Sequence, residues 1–258
     1  MKRWWILAVA VPLVLIVLVG GVLGFQSARA KAPVVVCGDH ELTNTELAYY
    51  YWSEYFYYAE AYGEYLDGVV DFSKPLAEQT YEGETSWEDY LLEETLLVIQ
   101  DTLSMVDRAE AEGYELSGDY LTTYQDVLVN FAAAAQAGGY ADLEEYLRAS
   151  YGKHADRESF ERYLYQSHLA ASYADELYAG CLPTDEDCRD YFSANRAYYE
   201  EYYDAVADDE TTWLETVRTD LQTERYQNEF RAISSGYEVL VDYEAVRLTE
   251  PEGLYESE

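Results

Sequence analysis

The sequence is poor in basic residues, and this scarcity narrows the range of its partners. Its 258 residues include 16 Lys and Arg against 51 Asp and Glu, for a formal net charge of −35. Nucleic-acid affinity comes chiefly from cations that neutralise phosphates, and basic clusters supply the attraction to anionic lipid headgroups. A surface this acidic therefore excludes nucleic acid as a partner and argues against docking on anionic headgroups. The same like-charge repulsion favours solubility.

Residues typical of catalytic and metal sites are also scarce. The chain has three histidines, His40, His154 and His168, and no Cys-x-x-Cys pair. It contains no Gly-x-Ser-x-Gly elbow, no His-Glu-x-x-His motif and no phosphate-binding glycine loop. The acidic runs at 185–187 and 208–210 lack the twelve-residue spacing of an EF-hand and are interpreted as solvated helix starts. We therefore predict no catalytic residue, no metal site and no cofactor.

Three cysteines are too few for disulfides to frame a chain of this size. Cys37 ends an apolar, strand-like run and is predicted to pack as a small hydrophobic residue. Cys181 and Cys188 flank the sequence LPTDED, where a turn from loop to helix could bring them together. The geometry of a disulfide is demanding, so the sequence leaves the pairing of these two residues open.

Apolar residues, in contrast, are abundant. Hydrophobic residues make up 49% of the chain and aromatic residues 16%, so the chain can bury a core and is not a disordered acidic tail. The run Trp4–Phe25 carries no charge. As a helix it would span about 33 Å, against about 30 Å for a bilayer core. We predict a cytoplasmic stub over 1–3, a transmembrane helix over 4–25 and a linker over 26–32.

A cleavable signal peptide is the competing interpretation of the N-terminus. Residues 28–30, Ala-Arg-Ala, offer a cleavage site, but the apolar part of a signal peptide is about 7–15 residues long and this run is longer. Two basic residues flank each side of the run, so the positive-inside rule does not set its orientation. We expect a single-pass protein of the cell membrane with its C-terminal domain outside. Secretion after cleavage near Ala30 is the alternative.

Behind the linker, the pattern predicts two terminal strands around an all-helical middle. Residues 34–37 are apolar, largely β-branched and followed by Gly-Asp, as in a strand that ends in a turn. Residues 237–246 alternate largely apolar and acidic side chains, as in a half-buried strand. Because a lone strand leaves its backbone groups unsatisfied, we expect these two strands to pair. The predicted fold is mainly α, one domain over 33–248 closed by a two-stranded sheet, with a disordered tail over 249–258.

Capping signals and apolar spacing define the predicted helices. Thr43 and Glu46 form a capping box that begins a helix ending near Tyr62. After a loop-rich stretch, a second helix begins near Ser86 and ends at Gly113. Further helices are predicted over 117–138, 141–151, 156–180, from 183 onward and over 209–233. The apolar stripe of the second helix comprises Leu92, Leu96, Ile99, Leu103 and Val106.

The order of these motifs resembles the SurA/PrsA family of extracytoplasmic folding factors. Residues 34–47, VVVCGDHELTNTEL, are similar to the family's opening V-x-V-N-G-x-x-I-T-x-x-E-L, with Gly38-Asp39 where the family usually has Asn-Gly. Residues 182–192, LPTDEDCRDYF, are similar to its P-T-D-E-E-I-x-x-Y-F helix. The resemblance covers residues 34–200 and implies a SurA N-terminal-like chaperone domain. Similar stretches lie between these two motifs at 109–117, 143–147 and 160–164.

The resemblance stops where the family's catalytic domain would begin. In that family the second motif leads into a parvulin-type prolyl isomerase domain. Here about 45 residues separate Phe192 from Tyr237, they are predicted to be helical throughout, and the parvulin histidine motifs are absent. The resemblance therefore implies the chaperone domain without its isomerase domain.

Tyrosine is the most over-represented residue, with 29 Tyr against 7 Phe. Residues 49–58, YYYWSEYFYY, place aromatic rings on every face of the first helix, and residues 198–203, YYEEYY, repeat the mixture. One face must pack on the core, and rings left at the surface offer large contact area at low entropy cost. The alternative is that they are core tyrosines whose hydroxyls reach water. The predicted peptide-binding residues are Tyr50, Tyr51, Trp52, Tyr55, Tyr58, Tyr199 and Tyr203.

These observations predict a membrane-anchored extracytoplasmic holdase that binds unfolded or secreted polypeptides without catalysis. An aromatic cleft rimmed by carboxylates would favour extended, basic or neutral segments. The alternatives are a dedicated envelope protein-interaction module and a residual relative of the parvulin-type isomerases. A carbohydrate-binding module is suggested only by the Tyr and Trp content, and the all-helical pattern disfavours it. The oligomeric state is left open.

Overall fold

The computed structural model describes residues 32–66, 68–251 and 253–255. Its helices are α1 (Asn44–Tyr62), α2 (Trp87–Ala111), α3 (Gly118–Ala137), α4 (Leu143–Tyr151), α5 (Arg157–Gly180), α6 (Asp185–Ala194), α7 (Arg196–Tyr202) and α8 (Leu214–Ser234). Its strands are β1 (Val35–Cys37), β2 (His40–Leu42), β3 (Thr80–Glu82), β4 (Thr85–Ser86) and β5 (Val239–Val241). The prediction of a mainly helical chain with a small sheet is confirmed.

The predicted stub and transmembrane helix lie outside the described residues. Among the helices that are described, none combines the length and the apolar character needed to cross a bilayer.

The chain divides into two compact units. The first unit contains the described residues up to Thr95, residues Ala135–Phe160 and the described residues from Leu240 onward. The second unit contains Leu96–Ala134 and Glu161–Val239. The range 33–248, predicted to be one domain, is distributed over these two units.

The small sheet joins the two ends of the described chain. β1 pairs with β2 in an antiparallel hairpin, whose two-residue turn begins at Gly38 with a φ of 58°. Glycine adopts this left-handed conformation without steric cost. β5 lies on the other side of β1, and the Asp242 amide donates to the Val34 carbonyl at 2.9 Å. The predicted pairing of the terminal strands is confirmed. However, the sheet has three strands because β2 folds back on β1, and β5 is shorter than the predicted 237–246.

The capping box at α1 forms as predicted. The Thr43 hydroxyl accepts a hydrogen bond from the Glu46 amide at 3.4 Å, and the Glu46 carboxylate accepts one from the Thr43 amide at 2.9 Å. These bonds satisfy two of the amide groups that a helix start leaves without intrahelical partners. The helix then runs to Tyr62. The stretch after it, predicted as loop, also contains the β3–β4 hairpin, which turns at Gly83 with a φ of 60°.

The apolar stripe of α2 is buried along its whole length, as predicted. The exposed fraction is 8% or less at all five of its positions and zero at Ile99 and Val106. In the second unit, Val106 packs in a cluster with residues of α5, among them Leu169 and Tyr173. After the helix, Gly113 has a φ of 69°, and its reversal lets the Tyr114 amide donate to the Ala109 carbonyl.

The last helical region is interrupted, which corrects the prediction of continuous helix. α7 ends at Tyr202, and Asp204 adopts a left-handed φ of 51° that breaks the helical path. The Asp209 carboxylate then accepts from the Thr211 amide at 3.1 Å and caps a short 3-10 turn over Glu210–Thr212. α8 begins only at Leu214. Aspartate tolerates the left-handed region better than most residues because its short polar side chain bonds locally.

The segment after residue 248 has defined contacts in the first unit, where the sequence predicts a disordered tail. The Trp52 indole N–H donates to the Thr249 carbonyl at 3.0 Å. Gly152, which follows α4 with a φ of 98°, lies so close to Thr249 that a Cβ would sit 2.8 Å from that side chain. A glycine is therefore required there for both its conformation and its size.

We expect Thr43→Ala to destabilise the protein by about 1 kcal/mol, because alanine accepts no hydrogen bond from the helix start. The measurement is the urea midpoint followed by far-UV circular dichroism. The matched control is Thr123→Ala on the exposed surface of α3, where alanine has the higher helix propensity and no loss is expected. Equal midpoints for both variants would contradict a stabilising cap at Thr43.

We expect Asp185→Asn to lower the melting temperature at pH 7 and to lower it less at pH 2. The Arg218 guanidinium donates to the Asp185 carboxylate at 2.7 Å and holds the pKa of that carboxyl below its ordinary value of 3.8. A lowered folded-state pKa gives stability that is present above the ordinary value and is lost as the pH falls through the folded value. Thermal unfolding at both pH values measures the difference. Asp190→Asn on the exposed side of α6 is the control, and the same shift in both variants would contradict the role of Arg218.

Candidate functional site

Four of the predicted peptide-binding residues lie in the core of the first unit. Tyr50, Tyr51, Trp52 and Tyr55 are each exposed by 4% or less. The ring of Trp52 meets those of Tyr51 and Tyr55 edge to face, at 5.0 and 5.3 Å. Such packing adds to the free energy gained by burying the rings. Their burial corrects the expectation that these four residues lie on a peptide-binding surface.

Tyr58, another predicted peptide-binding residue, is half-buried rather than exposed. Its hydroxyl lies 3.5 Å from that of Tyr90, and the two rings meet nearly at right angles. Burial, followed by the hydrogen bond with Tyr90, raises the pKa of Tyr58 above its ordinary range. Tyr58 therefore belongs to an internal contact between α1 and α2 within the first unit.

The aromatic rings that α1 exposes belong to residues outside the predicted peptide-binding set. Phe56 and Tyr57 are about half exposed, and Tyr65, in the loop after the helix, is 85% exposed. A cavity of about 570 Å³ opens at this end of the helix. Its polar lining is already engaged, because the Gln79 side chain bonds both the amide and the carbonyl of Asp71. The cavity is otherwise lined by Ala59, Gly63, Gly68, Val69, Val70 and Phe72.

In the second unit, α7 and the residue that follows it carry four tyrosines, one with a buried ring and three with exposed rings. Tyr199 is 1% exposed, whereas Tyr198, Tyr202 and Tyr203 are 48%, 67% and 44% exposed. We call these three residues the tyrosine patch. Ring centroids within the patch lie 5.2 Å apart for Tyr198 and Tyr202 and 5.8 Å apart for Tyr198 and Tyr203. The patch is therefore one continuous aromatic surface.

A stack of aromatic rings connects the patch to the core beneath it. Trp213 and Phe192 stack face to face with centroids 4.1 Å apart, and Phe192 lies 5.9 Å from Tyr199. Tyr199 in turn lies 5.7 Å from Tyr203 in the patch. Phe192, Tyr199 and Trp213 belong to one buried cluster with Cys188, Ala205 and Val217. The patch therefore rests on a packed base, so presenting its rings costs little additional ordering.

Carboxylates on α8 hold the inner tyrosines of this region. The Tyr199 hydroxyl donates to Asp220 at 2.7 Å, and the Tyr191 hydroxyl donates to Glu224 at 2.6 Å. Burial, then the bond to Asp220, raises the pKa of Tyr199 above its ordinary range. The bond to Glu224, then burial, raises the pKa of Tyr191 to about 12. Both phenols are therefore neutral hydrogen-bond donors at physiological pH.

The tyrosine patch is surrounded along the chain by acidic residues. Arg196 pairs with Glu200 at 2.7 Å, one turn apart on α7. Glu201, Asp204 and Asp208 are exposed and form no ion pair in the described part of the chain. The chemistry available at this surface is thus aromatic contact together with uncompensated negative charge.

The cysteines, histidines and acidic residues of the described ranges do not come together in one site. All three cysteines are thiols: Cys37 and Cys188 are buried, and Cys181 is half-buried after α5. Cys188 packs in the aromatic cluster, and no bond joins it to Cys181. His168 bonds the Leu164 carbonyl through Nδ1 at 2.8 Å on its own helix. Within the described ranges, no three His, Cys, Asp or Glu side chains are placed to hold a metal ion.

Of the predicted site residues, the structure brings Tyr199 and Tyr203 together, one as support and one at the surface. Sequence reasoning missed Tyr198 and Tyr202. No spacing in the sequence separates them from Tyr199, since residues three apart on a helix share a face and the helix is interrupted at Asn195.

Comparison with family models, with curated proteins and with solved structures finds no match for this chain. The resemblance to the SurA/PrsA family stays a prediction.

We expect Tyr199→Phe to destabilise the protein by about 1–2 kcal/mol, because it keeps the ring and removes the hydrogen bond to a half-buried carboxylate. The free energy of unfolding from urea titration is the measurement. Tyr202→Phe is the matched control, since its hydroxyl lies on an exposed ring with no bond in the described residues. A Tyr199→Phe variant as stable as the control would show that Asp220 does not hold this ring.

Proposed function

We propose that this chain is a membrane-anchored extracytoplasmic holdase, which captures unfolded or secreted polypeptides at the tyrosine patch without catalysing a reaction. One observation carries the proposal: three neighbouring tyrosines are about half exposed or more at the end of a helix whose buried face packs on an aromatic stack. Contiguous exposed aromatic surface on a soluble domain marks interaction sites.

The chemistry of the patch suits varied, weak clients. Tyrosine rings give a large amphipathic contact area and lose few rotamers on binding, and their hydroxyls bond any peptide backbone. Three rings without a deep pocket give contacts of modest affinity, which allow release without an energy source. A dedicated single partner would instead be expected to meet a larger, shape-complementary surface.

The anchor and the chaperone-like domain enter this proposal from the sequence. The uncharged run over 4–25 supports attachment to the membrane, with the helical region over 33–248 on its outer side. The resemblance to SurA/PrsA folding factors supports a role with unfolded chains. The missing parvulin histidine motifs favour binding over isomerisation.

The test is suppression of aggregation by the full-length chain in lipid nanodiscs. Light scattering of a chemically denatured client is followed with increasing protein, against empty nanodiscs. We expect suppression near equimolar protein. A proline-limited refolding assay run alongside is expected to show no acceleration.

The triple variant Tyr198→Ser, Tyr202→Ser, Tyr203→Ser is expected to need on the order of tenfold more protein for the same suppression. The matched control replaces three exposed tyrosines of the first unit, Tyr57, Tyr62 and Tyr65, with serine and is expected to act like the wild type. Circular dichroism confirms that both variants are folded.

Each other outcome selects a different function. Full suppression by the triple variant would remove the tyrosine patch from the mechanism. Absence of suppression at a molar excess of wild type would favour a dedicated envelope interaction module. Faster proline-limited refolding would establish a residual isomerase.

A further inference from the structure

The tyrosine patch lies in a segment whose negative charge the chain itself does not neutralise. Between residues 196 and 210 the only basic residue is Arg196. Its guanidinium forms an ion pair with the Glu200 carboxylate, at 2.7 Å. The six acidic residues of this segment are Glu200, Glu201, Asp204, Asp208, Asp209 and Glu210.

Three of these carboxylates have structural roles and three do not. Glu200 pairs with Arg196, and Glu210 pairs with Arg189 at 2.7 Å. Asp209 caps the 3-10 turn, accepting from the amide and the hydroxyl of Thr211. The other three, Glu201, Asp204 and Asp208, are exposed and form no ion pair within the described segments.

Exposed aromatic rings and unpaired carboxylates, which this short segment carries together, attract the same chemical group. The face of a tyrosine ring attracts a cation with about 0.5–1 kcal/mol at an exposed site. A guanidinium group stacks on such a ring and can bond a carboxylate through two parallel N–H groups. The ammonium group of lysine is also attracted to the ring and to the carboxylate. It does not stack on the ring, and it does not form two parallel bonds to the carboxylate. The segment that contains the patch therefore offers both of the contacts that recognise arginine.

The hydroxyl of Tyr203 in the patch carries no charge of its own. A hydrogen bond with Tyr198, together with the nearby Asp220 carboxylate, raises the pKa of Tyr203. The phenol of Tyr203 is therefore neutral at physiological pH and adds no negative charge to this surface.

We infer that the tyrosine patch selects polypeptide segments that carry basic residues, arginine above lysine. This inference rests on the proposed function and names its substrate class. The negative charge that a basic segment would complement lies within residues 196–210 and is part of the overall net charge of −35. Acidic segments are repelled, and neutral segments bind through the rings alone.

The test uses fluorescein-labelled peptides of one length that differ only at their variable positions, which are Arg, Lys, Gln or Glu. Fluorescence anisotropy gives their dissociation constants for the full-length chain in nanodiscs of zwitterionic lipid. We expect the Arg peptide to bind about tenfold more tightly than the Gln peptide, with Lys between them and Glu weakest. Raising the salt concentration is expected to reduce this preference.

A charge-removing variant tests whether the preference belongs to the patch. Glu201→Gln, Asp204→Asn, Asp208→Asn is expected to lose most of the Arg preference while its affinity for the Gln peptide stays within about twofold of wild type. Asparagine tolerates the left-handed conformation at 204, so the loop is retained. The matched control removes the same charge at exposed positions elsewhere in the second unit, with Asp126→Asn, Glu176→Gln and Glu229→Gln.

The outcomes separate this inference from the proposed function. Equal affinity for the Arg and Gln peptides would overturn the inference and leave the holdase proposal standing. An equal loss of Arg preference in both charge variants would assign the preference to the whole chain and would also overturn the inference. If no peptide binds and aggregation is not suppressed, the proposed function fails and the inference fails with it.

Discussion

The structure depends on the hydrogen bond from a tyrosine hydroxyl to a carboxylate. A phenol taken out of water needs an acceptor, and an ionised carboxylate is a strong one because the bond is charge-assisted. Among the described residues at least six such bonds form, with oxygen–oxygen distances of 2.5–2.8 Å. The pairs are Tyr243–Glu93, Tyr237–Asp107, Tyr173–Glu112, Tyr120–Asp175, Tyr199–Asp220 and Tyr191–Glu224.

This interaction connects two features of the composition, the many tyrosines and the many acidic residues. The chain is rich in tyrosine and in acidic residues, and each supplies what the other needs when it is partly buried. Some of the acidic residues therefore stabilise the fold by accepting hydrogen bonds from tyrosine. Glu201 and Asp208 accept no phenol and form no ion pair among the described residues.

The same bond holds the buried ring beneath the tyrosine patch. Asp220 holds Tyr199 from α8, while Phe192 and Trp213 stack beneath it. Tyr198, one residue earlier, is turned about 100° away from this ring around the helix. Tyr202 lies one turn after Tyr198, against whose ring it packs, and is 67% exposed. The proposed binding surface is thus the outer side of a core element, which is a rigid support for weak contacts.

Local signals were enough to predict most helices. Thr43 with Glu46 set the start of α1, and Gly113 set the end of α2, because capping and chain reversal involve only neighbouring residues. The stripe of α2 was equally readable, since leucine and isoleucine are buried in nearly every context. The return strand β2 was missed because its three residues, His-Glu-Leu, have no strand pattern of their own and pair only through the hairpin.

Which tyrosines face the solvent was decided by tertiary packing alone. Tyrosine is stable in a core when its hydroxyl finds an acceptor and stable at the surface when it does not, so the residue type carries no preference strong enough to choose. Tyr55 and Phe56 are neighbours in the chain, yet one is 2% exposed and the other 48%. The deciding partners, such as the Phe72 carbonyl for Tyr55 and Asp220 for Tyr199, lie 17 and 21 residues away along the chain.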